Sequence, residues 1–182
     1  MTQRLFVGLE LPDSVKEDIS TVQQTLQSKY LFSGSYTKKE NLHQTLKFLG
    51  ECDEKWLEPI KEQLDTISFV PFTIHLGKAG NFTEEEHIRV IWIELRGADE
   101  LQKTVDNTLS GLFAKETRFM GHITLARPKR IFDEEKLKKE ITLLKVPALE
   151  MKVTSISLIE SKRGADGQQM YTTLHRVCAK EK

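Results

Sequence analysis

The chain has 182 residues, 38% of them hydrophobic and 30% charged, which suffices to bury one core of ordinary domain size and gives a single domain over 1–182. Its 27 Lys and Arg balance 27 Asp and Glu, so no global attraction to a polyanion or an anionic membrane exists and any nucleic-acid contact must come from local charge. No stretch approaches the ~20 apolar residues of a membrane span, the apolar run of MTQRLFVGLEL is too short for a secretory signal, and Cys52 and Cys178 lack metal-ligand spacing, which predicts a cytoplasmic chain with two reduced thiols packed as small hydrophobes.

RLFVGLEL (4–11) is dense enough in apolar residues for a buried strand, and Val15, Ile19, Val22 and Leu26 behind Pro12-Asp13 recur at helical spacing. NLHQTLKFLG (41–50) alternates as a strand closed by Gly50, and 53–67 reads as a helix with an acidic first turn and a stripe of Trp56, Ile60, Leu64 and Ile67. FTIHLGKAG (72–80) is a short strand followed by a loop over NFTEEEH. The pattern then restarts, with a strand and a helix within 89–113, a strand over GHITLARPK and a helix over 133–144. A long strand over 148–161 turns through KRGADGQQ into a last strand over 170–179.

The order is β-α-β-α-β, twice, with one more strand at the end. Each half contains the same tetrad, His43-Gln44-Thr45-Leu46 and His122-Ile123-Thr124-Leu125. The tetrads lie 79 residues apart and the strands opening the halves, at Arg4 and Arg89, lie 85 apart, as a diverged duplication produces. Two similar lobes related by an approximate two-fold axis are therefore expected, each supplying one His-x-Thr.

In a strand, residues two apart point the same way, ~6.5 Å apart along the chain. Each His-Thr pair can then reach one phosphate-sized group. Two imidazoles suit a reaction that needs a base and an acid near neutral pH, while threonine hydroxyls donate to non-bridging phosphoryl oxygens. One such motif is a weak signal, because a polar residue is often tolerated in a half-buried strand. Two copies at matching places in a repeat are a strong one.

HQTLKFLG together with GHITLARPKR resembles the 2H phosphoesterases, and among them the RNA 2′,3′-cyclic phosphodiesterases once called 2′-5′ RNA ligases. RLFVGLELP, FTEEEHIRVIWIEL and SLIESKRGADGQQMYTTL extend the resemblance over nearly the whole chain. It implies a bilobal, pseudo-two-fold α+β fold, with two mainly antiparallel sheets flanking a central cleft and helices outside. By the same resemblance His43 is the proton donor and His122 the proton acceptor, Thr45 and Thr124 bind phosphate, and Arg127 helps to neutralise it. The implied reaction opens RNA or nucleotide 2′,3′-cyclic phosphate ends to 2′-phosphomonoesters, in a monomer without metal or cofactor. Strict period two from His122 puts Arg127 on the opposite face, so it reaches the cleft only if the strand bulges or ends, for which Pro128 supplies a reason. The other reading of Arg127 is a surface cation paired with a carboxylate.

His75 falls on the polar phase of its strand and His87 in a charged loop, both solvent-facing, and His175 in the last strand reads as structural. The five histidines form no compact cluster with Asp or Glu of the kind a metal needs. Arg127-Lys129-Arg130 and Lys162-Arg163 can guide RNA or simply form solvated loops, and Tyr36, Phe82 and Tyr171 can stack on a base or fill the core. Two functions compete with hydrolysis: 2′-5′ RNA ligation at the same site, and a nucleotide-binding module without turnover. A mere binder has no use for two proton-transfer groups.

Overall fold

The apolar run of the first segment is buried in succession: in the computed structural model, which describes residues 2–164 and 169–180, strand β1 (Thr2–Glu10) is covered from Leu5 through Leu9. Helix α1 (Asp13–Gln27) starts behind Pro12, whose carbonyl accepts from Lys16 N at 3.0 Å. Its Val15, Ile19, Val22 and Leu26 are all buried. At ~1.5–3 kcal/mol for each such side chain withdrawn from water, tertiary burial of this stripe holds the helix more firmly than intrinsic propensity does. The same logic builds α2 (Leu57–Asp65) on Ile60 and Leu64, α3 (Asp99–Thr108) on Leu101 and Val105, and α4 (Glu134–Leu143) on Leu137 and Ile141. The Asp133 side chain caps α4 by accepting from Lys136 N at 2.9 Å.

The remaining strands are β2 (Phe32–Tyr36), β3 (His43–Asp53), β4 (Phe72–Glu84), β5 (His87–Arg96), β6 (His122–Ile131), β7 (Glu150–Val153), β8 (Ser155–Arg163) and β9 (Gln169–Cys178). They form an antiparallel ladder in the order β7-β4-β5-β6-β3-β1-β8-β9, with β2 alongside β6. β3 and β6 meet at a single registered pair, Gln44 with Ile123. The ladder is thus two half-sheets, β3-β1-β8-β9 and β6-β5-β4-β7, hinged where the two motifs touch. The α+β, two-lobed architecture expected from the repeat is present, but the lobes are not the sequence halves. β4 from the first half completes the sheet of β5 and β6, and β8 returns to pair with β1. Likewise α1 packs against β6 and α3 against β3, so each motif strand is backed by the other half's helix. Among the described residues no helix is long and apolar enough to cross a membrane.

Several boundaries differ from the sequence expectation. β3 does not stop at Gly50 but runs to Asp53, with Gly50 inside it at φ +77°, a conformation that glycine adopts without strain. NFTEEEH is no loop: β4 continues to Glu84, the turn is only Glu85-Glu86 at positive φ, and His87 opens β5 as an exposed residue. The long strand over 148–161 breaks at Thr154 into β7 and β8, which belong to different half-sheets. β2 carried no apolar pattern and was not foreseen. Trp56 leaves its expected stripe because it lies in a 3-10 turn, and it is 37% exposed. Cys52 is buried as expected, whereas Cys178, at the end of β9, is exposed. Lys162 and Arg163 extend β8 instead of forming a loop, and residues 165–168 of the expected KRGADGQQ turn lie outside the described residues.

Candidate active site

Because β3 and β6 run antiparallel through Gln44 and Ile123, the residues flanking that pair, His43 and Thr45 on one strand and His122 and Thr124 on the other, all leave from the opposite face. Alternation alone therefore brings the four side chains around one point. They line a cleft of about 420 Å³ together with Arg4, Phe6, Thr37, Asn41, Phe48, Phe82, Arg127, Gln169 and Tyr171. No carboxylate lines it among the described residues. Nor do any three His, Cys, Asp or Glu side chains among them group as a metal site.

The leucine of each tetrad has a structural task. Thr124 pairs with Trp92 and Ala126 with Ile91, so Leu125 is the extra residue of a bulge in β6. In β3 Thr45 pairs with Gly8 and Lys47 with Val7, leaving Leu46 as the extra residue. Both leucines are buried, and so are the residues after them, Lys47 and Ala126. Each bulge shifts the strand's phase by one. The residue five after each histidine therefore returns to the cleft face: Phe48 in β3 and Arg127 in β6 both line the cavity. This removes the parity objection to Arg127, and the break lies at Leu125, before Pro128 and not because of it.

Both bulges are braced from helices. Gln23 on α1 donates through Nε2 to the Leu125 carbonyl at 2.8 Å and to the Thr37 carbonyl at 2.9 Å. Lys47 reaches α3, donating to Asp106 Oδ1 at 2.5 Å and to the Ala114 carbonyl at 2.7 Å. That ion pair is buried, its side chains 3% and 9% exposed. The Asp106 carboxyl stays below its ordinary pKa: burial pushes it up, but Lys47 and the Glu116 N–H more than offset this. Gly34 on β2 lies where an added Cβ would come within 2.3 Å of the Arg127 carbonyl. The bare backbone there lets β2 press against the bulged strand.

The two imidazoles are held in the same way. His43 Nδ1 lies 2.7 Å from the Asn41 carbonyl and His122 Nδ1 lies 2.8 Å from the Met120 carbonyl. A carbonyl only accepts, so each Nδ1 carries the proton and Nε2 is left for chemistry. His43 Nε2 also lies 3.1 Å from Thr45 Oγ1. Rings steady both: Phe6 and Tyr171 lie 4.7 Å and 5.0 Å from His43, and Phe82 lies 5.0 Å from His122. Burial depresses the pKa of His43 to about 4, with smaller contributions from the positive charge of His122, Arg127 and Lys16, against the opposing bond to Asn41. His122 is lowered too, by burial first and by Arg127, against its bond to Met120. This is a cavity whose described lining carries cations and no carboxylate, with two neutral imidazoles, and it is suited to receive an anion.

The five residues expected at the site thus converge. His75 and His87 lie outside the cleft, beside Glu150 and Glu134 at 3.8 Å and 3.6 Å. His175 Nε2 contacts Asp65 Oδ1 at 2.7 Å, a structural role. Of the aromatic candidates, Phe82 and Tyr171 line the cleft, while Tyr36 stacks on Phe32 at 5.3 Å, outside it. Sequence reasoning missed Arg4, Phe6, Thr37, Asn41, Phe48 and Gln169. Only Phe48 had a usable signal, since HQTLKF aligned on HITLAR sets it opposite Arg127.

A duplicated His-x-Thr site at the junction of two half-sheets defines a 2H phosphoesterase. The LigT-like phosphoesterase family model matches residues 9–92 and again 94–167, one motif in each match, and the chain belongs to that family. Among its relatives is the RNA 2′,3′-cyclic phosphodiesterase of Methanocaldococcus jannaschii, 39% identical over 142 residues that span 76% of this chain and 79% of that protein. The protein of the same name from Archaeoglobus fulgidus is 34% identical over 132 residues, 70% of this chain and 73% of its own. The crystal structure of apo Escherichia coli LigT superposes with a TM-score of 0.79 at 24% identity, covering 99% of both chains. E. coli LigT complexed with 3′-AMP gives a TM-score of 0.76 at 26% identity, again over 99% of both.

Proposed function

We propose that this protein hydrolyses RNA or nucleotide 2′,3′-cyclic phosphate ends to 2′-phosphomonoesters by acid–base catalysis between His43 and His122, without a metal. The observation that carries the reading is the facing pair of His-x-Thr strands with both Nδ1 atoms locked on backbone carbonyls. The names of the relatives supply the substrate class. In-line displacement at phosphorus needs a base on the side of the attacking water and an acid on the side of the leaving oxygen. Two imidazoles on either side of a pseudo-two-fold axis meet that need.

The asymmetry of the two rings supports the roles that the resemblance implies. His43 Nε2 has the Thr45 hydroxyl beside it, so its lone pair is engaged, whereas His122 presents Nε2 as the base that takes the proton of water. A buried imidazolium is a strong acid, which suits His43 as donor to the ribose oxygen. His43 is neutral in the free protein at neutral pH; the negative phosphodiester must raise its affinity for the proton as it binds. Thr45, Thr124 and Arg127 hold the phosphoryl oxygens between the rings.

The test is product analysis with an oligonucleotide ending in a 2′,3′-cyclic phosphate, in chelator. A 2′-phosphate with a free 3′-hydroxyl is expected. His43→Ala and His122→Ala should each lower turnover ~10²–10⁴-fold, and the double variant should be little worse because the pair acts as a unit. A 3′-phosphate product would exchange or abolish the two assigned roles. Near-normal turnover in either single variant, or dependence on an added divalent ion, would defeat the mechanism.

A further inference from the structure

We propose that Arg176 and Arg96 are positioning residues, each drawing away from an imidazole of the cleft the carboxylate that stands in register with it, so that both histidines are left without an acidic partner. The catalytic consequence rests on the functional reading above; the ionisation of the rings does not. In antiparallel strands, residues directly opposite one another share a face, with Cβ atoms ~5 Å apart. Opposite His43 stands Glu10 on β1, and opposite His122 stands Glu94 on β5. The glutamates are themselves a repeat, lying 84 residues apart in Leu9-Glu10-Leu11 and Ile93-Glu94-Leu95. Two acids are thus built in beside the two imidazoles, yet neither lines the cleft.

Each carboxylate is turned away from its histidine's strand. β1 lies between β3 and β8, and the bonds to Glu10 come from β8 and β9. Ser157 Oγ donates at 2.6 Å, Thr173 Oγ1 at 3.1 Å, and Arg176 to both carboxylate oxygens at 2.9 Å. In the other half, β5 lies between β6 and β4. Glu94 accepts from Arg96 at 2.6 Å and from the Lys78 backbone N–H on β4, where the β4–β5 register skips Gly77 and Lys78. An added Cβ on Gly77 would come within 2.4 Å of Glu94 Oε2, so the bare backbone there makes room for the carboxylate.

Arg176 and Arg96 are 51% and 62% exposed, and surface ion pairs of this kind add little stability. Their effect is on where two negative charges point. Burial pushes the Glu10 carboxyl up, but Ser157, Arg176 and Thr173 more than offset this, and Glu94 is held down chiefly by Arg96. Both glutamates are therefore charged at neutral pH. The charges that bear on His43 are positive nonetheless: His122 and Arg127 on β6, and Lys16 on α1. Tyr171 faces it from β9 as a neutral phenol. The charge that bears on His122 is that of Arg127. Without its arginine, each glutamate is free to pair with the imidazole beside it, and an opposite charge at ~4–6 Å favours the imidazolium.

The experiment follows the ring-proton NMR titrations of His43 and His122 in the free protein, assigned by their loss in His43→Gln and His122→Gln. Arg176→Met should raise the His43 midpoint by ~1 pH unit and leave His122 in place, and Arg96→Met should do the reverse. Adding Glu10→Gln or Glu94→Gln to the matching variant should return the midpoint to its wild-type value. Arg176→Lys and Arg96→Lys, which keep the cation, should move the midpoints little. On an oligonucleotide ending in a 2′,3′-cyclic phosphate, the maximum of the kcat/KM profile should move to higher pH in both Arg→Met variants. Midpoints unmoved in the Arg→Met variants, a shift of both rings together, or a shift that survives the added Glu→Gln change overturns the positioning role. A wild type inactive on the oligonucleotide overturns the functional reading, while the midpoints still decide what Arg176 and Arg96 do.

Discussion

Replacing His43 with Gln should flatten the pH dependence of stability between about pH 5 and 7 by an amount that the site's burial sets. The imidazole has a folded-state pKa of about 4 against 6.5 for an unperturbed ring. Between those values the unfolded chain binds a proton that the folded protein refuses. Folding stability is therefore complete above the unfolded pKa and declines as pH falls toward the folded one. Weighing the protonated fractions of the two states gives a loss of about 2 kcal/mol between pH 7 and 5, and about 3 kcal/mol by pH 4. Urea titrations at fixed ionic strength measure it. At an m-value of about 2–3 kcal/mol/M, the wild-type midpoint should drop about 0.7–1 M more than the variant's over pH 7 to 5. His122 is depressed in both proteins, so its share cancels in the comparison. Parallel slopes in wild type and His43→Gln would show that His43 is not held neutral by burial, and the account of its role as an acid charged only with substrate would fall.

The kinetic counterpart is a bell-shaped kcat/KM profile whose maximum lies below pH 6.5, because both imidazoles are depressed in the free protein; the kcat bell should sit at higher pH, since bound phosphate favours the imidazolium, and coincident bells would contradict this. Lys47→Met should cost about 3–5 kcal/mol by stranding the Asp106 carboxylate in the interior, with much of that recovered in Lys47→Met/Asp106→Leu; calorimetry on the two proteins decides it. Gly34→Ala should push β2 off the Arg127 carbonyl, costing ~1–3 kcal/mol and raising KM more than it lowers kcat, and an unchanged KM would mean that Arg127 does not depend on this contact.

Sequence by itself determined the elements whose burial is one-sided and periodic, and the chemistry that is written twice. The stripe of α1, the apolar run of β1 and the two His-x-Thr strands were legible because alternation and helical spacing are local consequences of backbone geometry. The duplication was legible too, since it needs only comparison of the chain with itself. Tertiary structure alone decided what depends on pairing between strands distant in sequence. That Leu46 and Leu125 are bulge residues, and so that Phe48 and Arg127 turn into the cleft, follows from the registers with β1 and β5, which no local period encodes. β2 lacks an apolar alternation, and what defines it is its ladder with β6. The exchange of β4 and β8 between half-sheets likewise has no local signature. An extended segment carries free N–H and C=O groups along both edges, and which partner satisfies them is settled by the packing of the whole chain.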